Sequence, residues 1–476
     1  MLDRDSVKLR AALDPRGQHI TVADASVASG LSLENAERAL HRLVAEYRGH
    51  LSATEKGELL FRFPNGFSKP WETRGALSRA ATAVGRGFMG VLRFIVRAWV
   101  AIVLVAYVAI FVALLIGFAF ARSSDDRRSS GPSLSIASGL FRLLAEAFFW
   151  TAHPFSPFYS PEIYSSDPWG ARRHQSEEPK SPFYERVDRF FFGPKEPPPD
   201  PDAPTRAILA EIRAAKGRIG LADVIRITGQ PRSEVDPLMS RLMIQYHGSV
   251  EVSDDGGIYY QFPDLRKTAA SGGAKRAPAI WDRPESMPPV TGNTPGTNLL
   301  IGGLNAFNLM MSGWMLASGL TIERLVAMFS KIPPKNWPAP GTPIVLGVIP
   351  FVFSIALFAL PLVRLAFRPL RERKVARENG RRAMLKAILE SRESGGVTDA
   401  KLKDVYRVAS GKDPTDKEIT NQVVSLGGDV DVEDSQNGVR YRFRDLELER
   451  RAVEAERERA SEEEAQVGKV VFSSEN

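Results

Sequence analysis

Pro204–Leu265 reads PTRAILAEIRAAKGRIGLADVIRITGQPRSEVDPLMSRLMIQYHGSVEVSDDGGIYYQFPDL. Ile208, Ile212 and Ala215 recur at helical spacing, and Gly217 follows where a left-handed residue closes a helix. Arg218-Ile219 suits a short strand. Leu221, Val224, Ile225 and Thr228 form a second apolar face that ends at Gly229. Ser233 with Asp236 resembles a capping arrangement, and Pro237 is expected in the first turn of a third helix carrying Leu238, Met239, Leu242 and Met243. Val250 and Val252 alternate, Asp254-Asp255-Gly256-Gly257 turns, and Tyr260 and Phe262 alternate again, which is a hairpin signal. Helix, strand, two helices and a hairpin is the order of a small winged-helix domain.

The chain writes this pattern three times. Aligned on Gly30 and Gly229, the N-terminal stretch matches without a gap: Leu43 falls on Leu242, Tyr47 on Tyr246, Gly49 on Gly248, Gly57 on Gly256 and Phe61 on Tyr260. Phe63-Pro64 then falls on Phe262-Pro263. A third copy keeps Gly411, Gly428 and Tyr441-Arg442-Phe443 in order, with Thr415 and Glu418 as a capping box. The copies span residues 1–66, 204–265 and 381–446.

Between them lie membrane-length runs. Ala98 to Ala121 carries no charge and makes about 36 Å of helix at about 1.5 Å per residue, enough to span the roughly 30 Å of a hydrocarbon core. Residues 298–322 and 342–363 are two further spans joined by a short loop, with Pro350 and Pro361 predicting kinks. Residues 133–153 carry Arg142 and Glu146 on one face, and read equally as a transmembrane, re-entrant or interfacial helix. Residues 154–203 form a proline- and aromatic-rich linker hugging a surface, and 266–297 a polar linker. The tail 447–476 is expected as a solvated charged helix followed by a short apolar strand, Val467 to Phe472, able to dock onto a sheet edge. The fold class is thus α+β, three winged-helix-like repeats joined to a small transmembrane helix bundle.

The net charge of +7 could suggest nucleic acid, but its placement argues otherwise. Basic and acidic residues number 9 and 9 in 1–66, 7 and 8 in 204–265, and 12 and 12 in 381–446. The excess is juxtamembrane, 6 against 1 in 67–97 and 6 against 2 in 364–380. By the positive-inside rule both basic segments face the cytoplasm, which requires an even number of crossings and puts all three repeats on that side. The N-terminus is charged and carries no signal-peptide core. These features predict a multi-pass protein of a bacterial inner (cytoplasmic) membrane.

Chemistry-bearing patterns are absent. Zero cysteines exclude disulfides, thiolate zinc sites and cysteine nucleophiles. The six histidines, His19, His41, His50, His153, His174 and His247, lack metal-ligand spacing, and no phosphate loop or nucleophile elbow occurs. No catalytic residue, metal ligand or cofactor is expected. Asn305, Asn308 and Ser312 share one helix face within an apolar run, near Gly302 and Gly313. This candidate intramembrane polar face predicts interhelical hydrogen bonding, with a substrate path as the alternative. Acidic residues open the third helix of every copy (Glu34 and Glu37, Glu234 and Asp236, Asp416 and Glu418), where they favour the helix and repel phosphates. Nucleic acid is therefore not expected as a partner; the bilayer, and a protein partner or self-association, are.

Phe190-Phe191-Phe192-Gly193, Lys216-Gly217, Gly248-x-Val250-Glu251-Val252, Tyr259 to Leu265 and the ending Gly468-Lys469-Val470-Val471-Phe472 resemble an uncharacterised family of membrane proteins of cyanobacteria and plant plastid envelopes. The resemblance covers the C-terminal two-thirds. Some members carry a label linking them to iron–sulfur cluster biosynthesis; without cysteine, the resemblance implies at most an indirect assembly role. The expected function is a membrane scaffold or assembly factor that uses the three modules to bind protein partners. A membrane-tethered DNA-binding regulator and a small transporter or lipid-handling protein are the alternatives.

Overall fold

The computed structural model describes residues 3–13, 19–67, 99–118, 183–194, 200–269, 275–330, 332–391, 395–431, 439–460 and 467–474. Helix α1 (Arg4–Ala12), β1 (His19–Thr21), α2 (Val22–Ser29), α3 (Leu33–Tyr47), β2 (His50–Thr54) and β3 (Leu59–Arg62) open the chain. After α4 (Trp99–Phe118) and α5 (Phe183–Phe192), the same order returns as α6 (Ala203–Ala214), β4 (Arg218–Ile219), α7 (Leu221–Thr228), α8 (Arg232–Tyr246), β5 (Ser249–Val252) and β6 (Ile258–Gln261). Then come α9 (Pro295–Ser318), α10 (Ile322–Phe329) and the long α11 (Ile349–Glu390). The last turns of α11 open a third run of the order, with β7 (Val397–Thr398), α12 (Asp399–Ser410), α13 (Asp416–Ser425), β8 (Asp429–Asp431) and β9 (Arg440–Arg442). Helix α14 (Arg444–Arg459) and β10 (Val470–Ser473) follow.

Local chemistry explains why the order recurs. Gly30, Gly229 and Gly411 close the second helix of each copy at φ 74°, 69° and 71°, a left-handed conformation that glycine adopts without steric penalty. Thr21 with Asp24, and Thr415 with Glu418, form reciprocal capping boxes. Each hairpin folds its end back so closely that a Cβ on Gly49, Gly248 or Gly428 would overlap the ring of Phe63, Phe262 or Phe443. The three sheets are antiparallel with the third strand central: β1-β3-β2, β4-β6-β5 and β7-β9-β8. In the first, β10 adds a fourth strand outside β2.

The chain divides into two compact units. The first comprises residues 1–74, 198–287 and 371–476 and holds all three copies. One core runs through it, joining Leu33 to Ile212, Val224 and Leu242 of the middle copy and to Leu385, Ile388, Leu402 and Phe443 of the third. Two expectations change here. The 266–297 linker is partly core, since Ala277, Ile280 and Trp281 pack against it. Helix α14 is not a freely solvated helix: Leu446, Glu449, Ala452 and Val453 form a buried stripe at helical spacing.

The second unit comprises residues 75–197 and 288–370. Helices α4, α9 and the helix running through residues 344–390 are each long and apolar enough to cross a membrane. Helix α5 packs Phe183, Val187 and Phe191 at i, i+4 and i+8 into the core formed by Leu104 of α4, Leu304 of α9 and Leu357 of α11. The aromatic run read as linker is thus a helix docked on this unit. Arg364 donates to the carbonyls of Val290 (2.5 Å) and Phe190 (2.6 Å), placing a cation at the C-terminal end of α5.

Helix boundaries also shift. Pro231, not Ser233, precedes α8, and Pro237 lies inside the helix rather than in its first turn, because the buried positions Val235, Met239 and Leu242 extend the apolar face towards the N-terminus. Helix α9 runs from Pro295 to a left-handed Gly319, three residues earlier at its start than expected. A π-helical turn, Ile344–Val348, stands before Pro350, while Pro361 and Pro369 lie within α11 without ending it. The expected element at 133–153 falls outside the described residues, as does most of 67–97.

Candidate functional site

Asn305, Asn308 and Ser312 lie on one face of α9 and are fully buried. The structure sends them to different places. Asn305 Nδ2 donates to the carbonyl of Ser354 on α11 at 3.0 Å, and Asn308 Nδ2 to the carbonyl of Leu104 on α4 at 2.9 Å. Ser312 Oγ stays on its own helix, donating to the carbonyl of Asn308 at 2.7 Å. Two adjacent turns of α9 therefore tie it to two neighbours through neutral amides. Among the described residues Asn305 Oδ1, Asn308 Oδ1 and Ser354 Oγ have no hydrogen-bond partner. Gly302 and Gly313 face Phe190 and Phe351 at ordinary contact distance, the small-against-large packing that lets these helices approach.

In the first unit several ion pairs join the copies or brace one of them. Asp24 accepts from Arg213 Nη1 at 2.7 Å and from Thr268 Oγ1 at 2.7 Å, tying the first copy to the middle one. Lys267 bridges Glu58 (2.6 Å) and Asp264 (3.1 Å). Tyr246 reaches the carbonyl of Gly30 at 3.4 Å, and burial pushes its phenol up to about 12. Glu211, fully buried, pairs with Arg226 at 2.8 Å and accepts from the amide of Ala277 at 2.9 Å.

Helix α14, which follows the third copy, adds further bonds to the middle one. Glu449 Oε1 accepts from the amide of Ala222 at 2.8 Å, in the first turn of α7, where the helix dipole favours a carboxylate. Arg457 pairs with Asp223 at 2.6 Å and donates to the carbonyl of Arg218. These residues escaped the sequence reading, although the Leu446, Glu449, Ala452 and Val453 spacing was the available signal.

A cavity of about 500 Å³ lies between the middle and third copies, lined among others by Gln230, Glu234, Arg377, Arg381, Tyr406 and Glu418. Its arginines are already engaged: Arg377 with Glu418 at 2.9 Å, and Arg381 with Glu378 at 2.7 Å and the carbonyl of Gly229 at 2.7 Å. Among the described residues no group of three or more histidine or carboxylate side chains could hold a metal ion.

Against known proteins, the chain is 24% identical over 272 residues to an uncharacterised chloroplastic protein of Arabidopsis thaliana, the match covering 56% of this chain and 49% of the relative. The chain thus spans about half the length of that relative. No family model and no solved structure matches. The relative suggests a plastid-related uncharacterised family, and its description carries no iron–sulfur role. That relative's chloroplastic description overturns the bacterial inner membrane expected above, with its cytoplasm-facing repeats. The physical reason is simple: arginine placement reports the side of a bilayer, not which bilayer.

Proposed function

We propose that this is an integral plastid-membrane scaffold or assembly factor, whose three winged-helix modules bind a protein partner beside the bilayer and catalyse no reaction. One observation carries the reading: the three modules are packed into a single unit through a shared core and ion pairs at their junctions. That favours a broad composite surface over three independent nucleic-acid readers. The near-neutral charge of each copy and the acidic start of each third helix point the same way. The amides of Asn305 and Asn308 are taken up by helix carbonyls, which favours a packing role over a transport path.

A packed unit of three modules cannot straddle a bilayer, so the chain between successive modules crosses an even number of times. Helices α9 and α11 supply one pair of crossings, and α4 is one member of the other. Single cysteines replacing exposed Lys56, Asp254 and Lys412 test this in a chain with no native cysteine. In sealed membranes all three are expected to react alike with an impermeant thiol reagent; one that differs from the other two overturns the topology. Cross-linking from the same positions is expected to capture a distinct protein band, and its absence at all three sinks the scaffold reading.

A further inference from the structure

The shared strand order leaves an equivalent strand at the outer edge of each sheet: β2, β5 and β8. An uncovered edge strand presents unpaired N–H and C=O groups to any extended chain that can reach it. The three edges are treated differently. β2 is covered by β10, with Val470 opposite Thr54, Phe472 opposite Ala53 and Ser473 opposite Ser52. The amide of Glu55 donates to the carbonyl of Lys469 at 2.9 Å, and that of Ser474 to the carbonyl of Leu51 at 2.9 Å. A bulge between Val470 and Phe472 blunts the new edge that β10 creates. β8 carries Asp429 and Asp431, charges that discourage pairing.

Among the described residues β5 has neither protection. All four residues are exposed, Val250 by 51% and Val252 by 67%, and Val252 lies opposite Ile258, itself 42% exposed. Its one charge, Glu251, accepts from Ser249 Oγ on the same strand at 3.2 Å. The amide of Ser253 donates inward to the carbonyl of Gly257, so by alternation Val250 and Val252 turn their backbone groups outward. They are the counterparts of Leu51 and Ala53, the residues that β10 engages.

From the seated strand we infer that β5 is the docking edge for an extended segment of a partner protein, which adds antiparallel as a fourth strand. The chemistry of β10 defines the occupant: a basic residue, then a run of β-branched and aromatic residues, then serine. The main-chain amide of Lys469 donates to the Glu55 carboxylate at 3.4 Å at the hairpin tip of the first copy, and Asp254 occupies the matching place in the middle copy, beside Asp255. A main-chain amide at that place would meet Asp254, and a glutamate there would add a third negative charge beside Asp254 and Asp255. Main-chain bonds would supply affinity, and the valine stripe the preference for apolar residues. This inference rests on the protein-partner reading above and names the surface it uses.

The test uses the whole chain in detergent and a fluorescent peptide of sequence GKVVFSSE, corresponding to residues 468–475. Binding is followed by anisotropy, and the contact is located by amide exchange. Val250→Pro removes one outward N–H while leaving the β5–β6 ladder intact, a substitution that edge strands tolerate. Val252→Lys adds a guarding charge. The expected result is protection of the Val250 and Val252 amides, with binding weakened at least about tenfold by either variant and by the Lys469→Glu change in the peptide.

Unchanged binding in both variants, protection confined to Leu51 and Ala53, or no binding to the folded chain overturns the inference. A dimer dissolved by Val252→Lys would make the occupant a second copy, and overturns the partner assignment. The Proposed function fails separately: cross-linked partner capture that is insensitive to Val250→Pro sinks only the docking edge, whereas loss of all capture sinks the scaffold.

Discussion

The two units solve the same problem, a polar group inside a packed interior, with different chemistry. Where α4, α9 and α11 meet, the buried groups are neutral, and two asparagine amides donate to main-chain carbonyls on neighbouring helices. In the unit that holds the three copies charged groups are buried as well and are paired, as Glu211 is with Arg226, beside neutral ones such as Ser26 and Ser29, which donate to main-chain carbonyls. The difference follows from the alternatives open to each group when its partner is lost. Glu211 and Arg226 both lie within the middle copy, and Glu211 is fully buried, so its carboxylate depends on that partner. Among long apolar helices a bare charge would find still less, and a neutral amide costs less to bury.

The strongest way to break this contrast is at Glu211. Glu211→Leu leaves Arg226 without its carboxylate and Ala277 without an acceptor, and is expected to destabilise the chain by roughly 3–5 kcal/mol. Glu211→Leu with Arg226→Met should recover most of that loss, because a buried ion pair is often replaceable by apolar groups. Denaturant unfolding of the chain in detergent measures both. A double variant as unstable as the single would mean that Ala277, rather than Arg226, is what Glu211 serves.

The next effect is at the junction that α14 makes. Glu449→Gln keeps the hydrogen bond to Ala222 and removes the charge at the N-terminus of α7, with an expected loss of about 0.3–2 kcal/mol. Glu449→Ala removes both and should lose more. In the other unit, Asn305→Leu and Asn308→Leu are each expected to destabilise the helix packing by only about 0.6–1.7 kcal/mol. Asn305→Asp, which tests the contrast directly by placing a carboxyl where an amide was, should exceed either. If Asn305→Asp is as mild as Asn305→Leu, water reaches the seam and the contrast is lost.

These residues also show what could be read before the structure. The order of elements was legible because it rests on local rules: Gly30 and Gly229 close helices, Thr415 with Glu418 caps one, and Val250 and Val252 alternate. The Asn305 face was legible as a stripe, but not the division of its amides between α4 and α11, which depends on where two distant helices lie. Least legible was the fusion of the copies. Glu449 meets Ala222, 227 residues away, and nothing in either neighbourhood marks the other. The linkers misled for a related reason: Ala277 and Trp281 look like polar-segment residues until a core is there to receive them.

The smallest effect is one of pH, and it should separate the two units. Burial raises the Glu378 carboxyl, but the Arg381 and Arg382 guanidiniums bonded to it outweigh that and hold it below its ordinary 4.5. Asp264 is likewise raised by burial and more than offset by its bonds to His247 and Lys267, so that it lies below its ordinary 3.8. A carboxyl depressed on folding binds protons more readily when unfolded, so it contributes stability above its unfolded value. That stability is lost as pH falls through the folded value. The window therefore opens near pH 4.5 for Glu378 and near 3.8 for Asp264, and extends downward. Both groups are partly solvated, which keeps the effect modest. An environment-sensitive fluorophore on Lys412→Cys should show the unit with the three copies loosening below about pH 4.5, while one on Ala317→Cys reports α9 unchanged, its buried asparagines having nothing to titrate. Glu378→Gln should flatten the upper part of the first curve. A curve unchanged by that substitution would mean that other carboxylates govern the acid limit.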